Sequence, residues 1–372
     1  MSNISMFMQI GRKMSNRYVL RNSFVLIFSV FRKIKRCILG GKFGVKIPGS
    51  LFIYTTQECN LRCRGCISSG YHFQKTNEKI FAKALDEGRR LGVNSFIFLG
   101  GEPMTAESWK LILHYAERYP FYNFNIVTNG TLLDQKAAQE LVHVPNVLLF
   151  VSVDGLKDNH NIRRGKGTFE LITENLNYLR RFHVPFFTIT TVTQLNYSEV
   201  LNQHFIRKFQ FCGSLGHIFL PYLVNGCASD SEYELKPAQW NSMSKRIGIL
   251  KKEIKEYFIL DVFEMENRLA GCRAASRSLA ISVEGSIQPC PALMFSMDNI
   301  MGKSLLESLR SPLLRFIMEL KKENSSECLL VRNREKIEEF IWRYAKEIRN
   351  TSNNVESVLE YGFQMTGTDN NV

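Results

Sequence analysis

From residue 50 onward, short apolar runs rich in β-formers alternate with longer stretches of helical period. The runs are 50–56 (SLFIYTT), 94–100 (NSFIFLG), 123–129 (NFNIVTN), 146–154 (NVLLFVSVD), 185–193 (PFFTITTVT) and 216–223 (GHIFLPYL). Helix-like stretches separate them at 77–91, 105–118, 132–142, 168–182 and 198–210. Alternation at this spacing predicts βαβ units, a parallel sheet and an α/β fold class, and six such units predict a partial barrel. The strands are apolar almost throughout, as expected of a sheet covered on both faces. They end in small or polar groups, GGE at 100–102, TNG at 128–130 and SVDG at 152–155. Ligands of parallel α/β folds collect at the C-terminal ends of strands, so these ends mark the expected pocket.

The pattern changes near residue 225. A loop, NGCASDSEYELKP, leads to a charged helix over 237–257 and then to a shorter stretch, 262–330. Within it, SLAISVEGSIQPCPAL reads as two alternating strands turning at Glu284 and Gly285. An amphipathic helix around 333–349 precedes a polar tail expected to be disordered. The expected organisation is a basic segment over 1–48, a core barrel over 49–235, a small α+β module over 236–332, and a C-terminal helix and tail over 333–372.

Charge adds a feature that hydropathy alone does not. Of the formal +13, residues 1–57 contribute ten positive charges and contain no Asp or Glu. The apolar run 23–31 is too short to span a bilayer, which takes about 20 residues, and no small-residue cleavage site follows it. The segment has the composition of an amphipathic element lying on an anionic membrane surface or docking an acidic partner. The alternative is a helix pair packed on the barrel with its cations solvated. No nucleic-acid-binding module accompanies the charge, so no nucleic-acid partner is expected.

Nine cysteines, an odd number with one tight cluster, argue against a secreted disulfide scaffold and for metal ligation in a reducing cytoplasm. Cys59, Cys63 and Cys66 lie within eight residues, just after the first strand. Structural zinc usually takes four protein ligands, often in C-x2-C pairs. A [4Fe-4S] cluster held by three thiolates instead leaves one iron open to a substrate or cofactor.

The C-x3-C-x2-C spacing resembles the signature of the radical S-adenosylmethionine (radical SAM) superfamily, which implies a partial (β/α)6 TIM-like barrel. In that family the open iron chelates the cofactor's methionine moiety, and the reduced cluster splits its sulfonium to give a 5′-deoxyadenosyl radical. Gly100, Gly101, Glu102 and Pro103 look like the family's GGEP motif, whose backbone groups and Glu hold the cofactor's ammonium. Thr128, Asn129 and Gly130 resemble the TNG that closes its third strand. Ser152, Asp154 and Gly155, with His160 and Arg164, resemble the strand-four pattern of peptide- and protein-modifying members. That pattern carries over cofactor contacts to Ser152, Asp154 and Arg164, whereas His160 reads as structural. Read from the residues alone, Arg163 and Arg164 are a solvated loop pair. One departure stands out: the residue before the third cysteine, often an aromatic stacked on adenine, is Gly65.

Cys272, twelve residues, Gly285, four residues and Cys290 resemble the opening of SPASM and Twitch extensions, which carry auxiliary iron-sulfur clusters. Only Cys328 follows, so one auxiliary cluster on Cys272, Cys290 and Cys328 is the ceiling, its fourth ligand absent or supplied by Cys227, Cys212, water or substrate. The alternative is an ordinary hairpin with scattered buried cysteines. Cys212 reads as core, Cys227 as a pocket-side thiol of open role, and Cys37 as inert or lipid-modified.

The resemblance implies hydrogen abstraction from a peptide or protein in a maturase-type reaction, with electrons from a reductant such as flavodoxin or ferredoxin. The alternatives are a step on a small-molecule or lipid-linked intermediate, and a catalytically silent iron-sulfur or zinc protein. The expected location is the cytoplasm, peripherally at the inner face of the membrane.

Overall fold

In the computed structural model, the described residues are 16–68, 74–75, 77–223, 230–255, 257–262, 272–321, 328–344 and 349–350. Cys227 and the tail beyond 350 lie outside them. A long helix, α1 (Asn16–Phe43), precedes the sheet. The six expected strands are β1 (Ser50–Tyr54), β2 (Ser95–Leu99), β3 (Asn123–Thr128), β4 (Val147–Ser152), β5 (Phe186–Val192) and β6 (Gly216–Pro221). All pair in parallel, in chain order, with helices α2 (Glu78–Leu91), α3 (Ala106–Arg118), α4 (Gln135–His143), α5 (Lys157–Arg164), α6 (Thr168–Arg181), α7 (Tyr197–Val200) and α8 (Gln203–Phe211) between them. This is the partial barrel that the alternation predicts.

Some of the helices start where a side chain satisfies orphan N–H groups. Asn77 accepts from Lys79 N and Ile80 N ahead of α2, and Asp134 accepts from Ala137 N ahead of α4. The buried residues of β2 and β3 alternate, and Phe96, Phe98 and Phe124 pack outward beneath the helices, with Phe98 between Phe81 and Phe124 at ring distances of 5.4 and 5.2 Å. The residues between them, such as Ile97, Leu99 and Asn125, face the concave side and are only half-buried. Coverage on both faces is therefore incomplete, because a partial barrel opens its inner face.

Three features differ from the sequence expectation. The stretch 157–164 is a helix, α5, not a loop. The helical stretch after β5 breaks into α7 and α8. Beyond residue 235 the sheet continues: after α9 (Pro237–Glu253), β7 (Phe258–Asp261) adds a parallel strand to β6. At the other edge, β8 (Ser278–Ile281) pairs in parallel with β1 and turns through Gly285 into β9 (Ser286–Gln288). The hairpin thus forms at the expected turn, and it extends the barrel sheet to ten strands, with β11 (Asp298–Asn299) at its end and β10 (Phe295–Ser296) pairing separately with β12 (Arg349–Asn350). At the C-terminus the helix runs from Arg334 to Arg343.

Candidate functional site

The loop leaving β1 is fixed by the end of β2. Gly101 N donates to Thr56 O (2.8 Å) and Glu102 N to Glu58 O (2.7 Å). A Cβ at Gly100 would stand 2.1 Å from Thr56 O, and one at Gly101 2.1 Å from Glu58 O. Gly100 also has φ of +147°, which side-chain-bearing residues rarely adopt. The glycine pair is thus what lets the end of β2 lie against the chain entering Cys59.

Glu102 ties this layer to β3. Its fully buried carboxylate accepts from Thr128 Oγ1 (2.7 Å), Asn129 N (2.7 Å) and Met104 N (3.0 Å). Burial raises its pKa, opposed by those hydrogen bonds. The resemblance gives this carboxylate a ligand ammonium; in the fold its two oxygens already accept three hydrogen bonds from the chain's own donors. Asn129 continues the belt: Nδ2 donates to Asn60 Oδ1 (2.9 Å) and contacts Cys59 Sγ at 3.9 Å, while Oδ1 accepts from Thr131 N and Oγ1. Asn60 Nδ2 donates to Thr131 Oγ1 at 2.8 Å.

A second centre forms past β4. Asp154, fully buried, accepts from both Arg163 and Arg164, and its other oxygen takes Thr191 N at 2.9 Å. Asn196 Nδ2 donates to Asp154 O, and Asp154 N donates to His160 Nδ1 (3.2 Å), which places the His160 ring proton on Nε2. Burial opposes the charge on Asp154, but Arg164 and Arg163 outweigh it and hold the carboxyl well below its usual range. Burial, with Arg164 adding to it, pushes His160 down to about 4, so it stays neutral and structural at pH 7. The two arginines are therefore not a solvated pair: both side chains are about nine-tenths buried on the last turn of α5. Ser152 ends β4 as a buried residue.

The cysteine loop meets this centre. Arg64 N donates to Arg163 O at 2.8 Å, and the charge of Arg164 acts on both Cys63 and Cys66. Burial pushes the Cys59 thiol up to about 11, and the neighbouring Cys63 and Cys66 add to the rise. Burial also raises Cys63, while Arg164 lowers it. Among the described residues no three His, Cys, Asp or Glu side chains converge on one ion position. A cubane takes one thiolate per iron, so it needs neighbouring thiols rather than thiols converging on one ion. Three adjacent thiols on one clamped loop with a buried cation above them fit such a cluster. Gly65 has φ of +62°, and a Cβ there would lie 2.6 Å from the Tyr222 hydroxyl, so a ring from the end of β6 fills the space.

A second thiol group lies at the hairpin. Burial raises Cys290 well above the ordinary thiol range, and Cys272 and Cys328 raise it further, so both lie within electrostatic reach of it. Tyr54, ending β1, donates to Pro291 O at 2.8 Å, joining this region to the barrel. Cys212 sits ahead of β6, at the opposite rim from the strand ends, and packs against the core. Asn60, Arg163, Asn196 and Tyr222 escaped the sequence reading.

Residues 53–202 match the model of the radical SAM superfamily. Over those residues the chain is similar to the radical SAM superfamily. Its members are enzymes that use a [4Fe-4S] cluster and S-adenosylmethionine. The chain is 28% identical over 209 residues to the AdoMet-dependent heme synthase of Methanosarcina barkeri (strain Fusaro / DSM 804), covering 54% of this chain and 58% of that one. It is 25% identical over 273 residues to the cysteine-type anaerobic sulfatase-maturating enzyme of Clostridium novyi (strain NT), covering 63% and 71%. Among solved structures, Streptococcus suis SuiB bound to precursor peptide SuiA has a TM-score of 0.62 and 18% identity, over 79% of this chain and 77% of that one. At that identity the likeness is one of fold. The chain spans little more than half of the heme synthase.

Proposed function

We propose that this chain is a maturase-type radical SAM enzyme acting on a peptide or protein. One observation carries the reading: Cys59, Cys63 and Cys66 sit on a loop hydrogen-bonded on one side to the GGE and TNG strand ends and on the other to Arg163, with Arg164 acting on two of the thiols. The three thiolates would hold the cluster. When bound, it supplies the electron that splits the sulfonium of S-adenosylmethionine, leaving a 5′-deoxyadenosyl radical able to take hydrogen from substrate.

The chain's own groups bind and orient. The backbone at Gly100 and Gly101, with Thr128, Asn129 and Ser152, offers polar lining at the strand ends. Arg164 presents a buried cation, and Asp154 and Glu102 act as positioning residues, since their carboxylates are enclosed. The substrate class is supported by the maturases among the relatives and by the peptide bound to SuiB. Cys272, Cys290 and Cys328 are proposed ligands of a second cluster. Thiol-rich sites of this kind favour a reducing cytoplasm and electrons from flavodoxin or ferredoxin. Among the described residues no helix is long and apolar enough to cross a membrane, and the basic N-terminal segment favours peripheral attachment at its inner face.

Anaerobic reconstitution tests the reading. Wild type should bind about eight irons per chain, falling by about four in Cys59→Ala/Cys63→Ala and by about four in Cys272→Ala/Cys290→Ala. With dithionite and S-adenosylmethionine it should release 5′-deoxyadenosine, and a precursor peptide encoded beside its gene should change mass. Bound zinc without cofactor cleavage would overturn the enzyme reading; turnover with a small molecule but no peptide would overturn the substrate class.

A further inference from the structure

Helix α1 is amphipathic in an unusual sense: one side packs on the barrel and the opposite side is apolar and bare. The packed side is set by Val25, buried at 5% exposure, and by Arg32, whose Nη1 donates to Asn94 Oδ1 at 3.0 Å while its guanidinium stacks 3.8 Å from the Tyr122 ring centroid. Arg36 donates to Gly92 O one turn later, and Phe28 meets Phe121 at 5.0 Å between centroids. Two of the cations that looked solvated in the sequence are thus the pins that fix the helix to the barrel.

At 100° per residue, Ile27, Val30, Phe31, Ile34 and Ile38 fall in a sector about 100° wide on the far side of that contact. These five side chains are each 50–64% exposed. Isolated exposed apolar residues are ordinary, but a contiguous stripe of five on one helix marks an interaction surface. Lys33, Lys35 and Lys42 are exposed around it. No Asp or Glu occurs before Glu58, so no acidic side chain of the helix offsets this charge.

We propose that this stripe docks the enzyme onto an anionic lipid bilayer, with α1 lying in the plane of the interface. The inference deepens the peripheral attachment proposed above by naming the face and its occupant, and it does not depend on the radical chemistry. Charge decides the occupant. A second copy docking through the same face would set lysine against lysine, whereas anionic headgroups complement the lysines as the acyl region takes the apolar residues. Among the described residues no helix can span, so the helix lies on the surface rather than crossing it.

Full-length protein should float with vesicles of phosphatidylglycerol and phosphatidylcholine and not with phosphatidylcholine alone. Phe31→Ser/Ile34→Ser/Ile38→Ser, whose side chains point away from the barrel, should keep the wild-type melting temperature and reconstituted iron content while losing at least tenfold in vesicle affinity. Lys33→Glu/Lys35→Glu/Lys42→Glu should lose as much. Wild type that ignores anionic vesicles, or a serine variant that binds them unchanged, overturns the proposal. So does a wild-type dimer, seen by light scattering, that the serine variant dissolves, since the occupant is then a second copy. Because iron content and 5′-deoxyadenosine release are read on the same samples, failure of docking is separable from failure of the enzyme reading.

Discussion

Replacing Asp154 by Asn should destabilise this protein severely, although the two side chains are nearly the same shape. Asp154 has no exposed side-chain surface, and the arginines it pairs with are 8% and 11% exposed. Asn retains an oxygen for Thr191 N but carries no charge, so two guanidinium groups remain buried without a counter-ion. Removing one partner of a buried pair costs about 3–5 kcal/mol, because the desolvation of the remaining charge is no longer offset. At pH 7 the contribution is fully present, since the folded carboxyl titrates well below its unfolded range and its stabilisation is lost only as pH falls through that region. With a urea slope of about 3 kcal/mol/M, the midpoint should fall by roughly 1–1.7 M. The assay is urea unfolding of the apo chain followed by tryptophan fluorescence. Arg163→Met in the Asp154→Asn background removes one unpaired charge and should recover part of the loss. A midpoint for Asp154→Asn within about 0.2 M of wild type, equivalent to about 0.6 kcal/mol, would refute the buried-charge argument.

Two buried histidines set an acid limit. Burial holds His160 at about 4 and His217 at about 3, both below the unfolded value, so the unfolded state binds more protons between those values and pH 6.5. Stability should therefore be complete above pH 6.5 and fall by about 2 kcal/mol per histidine by pH 5, with His160→Gln removing about half of that fall; a urea midpoint unchanged between pH 7 and 5 would contradict it. Glu102→Gln turns one oxygen into a donor facing Asn129 N, or else facing Thr128 and Met104 N. The mismatch should cost about 1–3 kcal/mol and loosen the cysteine loop, read as a lower urea midpoint and faster alkylation of Cys59 in the apo chain; unchanged values for both would remove Glu102 from its positioning role.

The strands and most of the helices were legible because one buried face per element writes a period into the sequence. The cysteine trio and the GG pair were legible because their geometry is local. What escaped was decided by distant partners. Residues 157–164 (KDNHNIRR) carry one apolar side chain, Ile162, and it is exposed, whereas the buried His160 and Arg163 are partners of Asp154. Helical period cannot reveal a helix whose inward face is ionic. Likewise β7 is a four-residue run whose strand character comes from pairing with β6, far back in the chain. Asn60 gains its partner, Asn129, from 69 residues away.

The departure at Gly65 shows how a local motif and a distant residue make one structural choice. Read along the chain, the position before the third cysteine simply lacks its aromatic. In the fold, the space a Cβ would take lies 2.6 Å from the hydroxyl and 3.0 Å from two ring carbons of Tyr222. That ring cannot swing aside cheaply: it is buried, and its hydroxyl accepts from Asp230 N at 2.9 Å. The left-handed backbone at 65 independently favours glycine. A side chain on the cysteine loop and a tyrosine at the end of β6 are therefore mutually exclusive, and this chain takes the tyrosine. The rim beside Cys66 keeps an aromatic ring, delivered by a strand 157 residues further along.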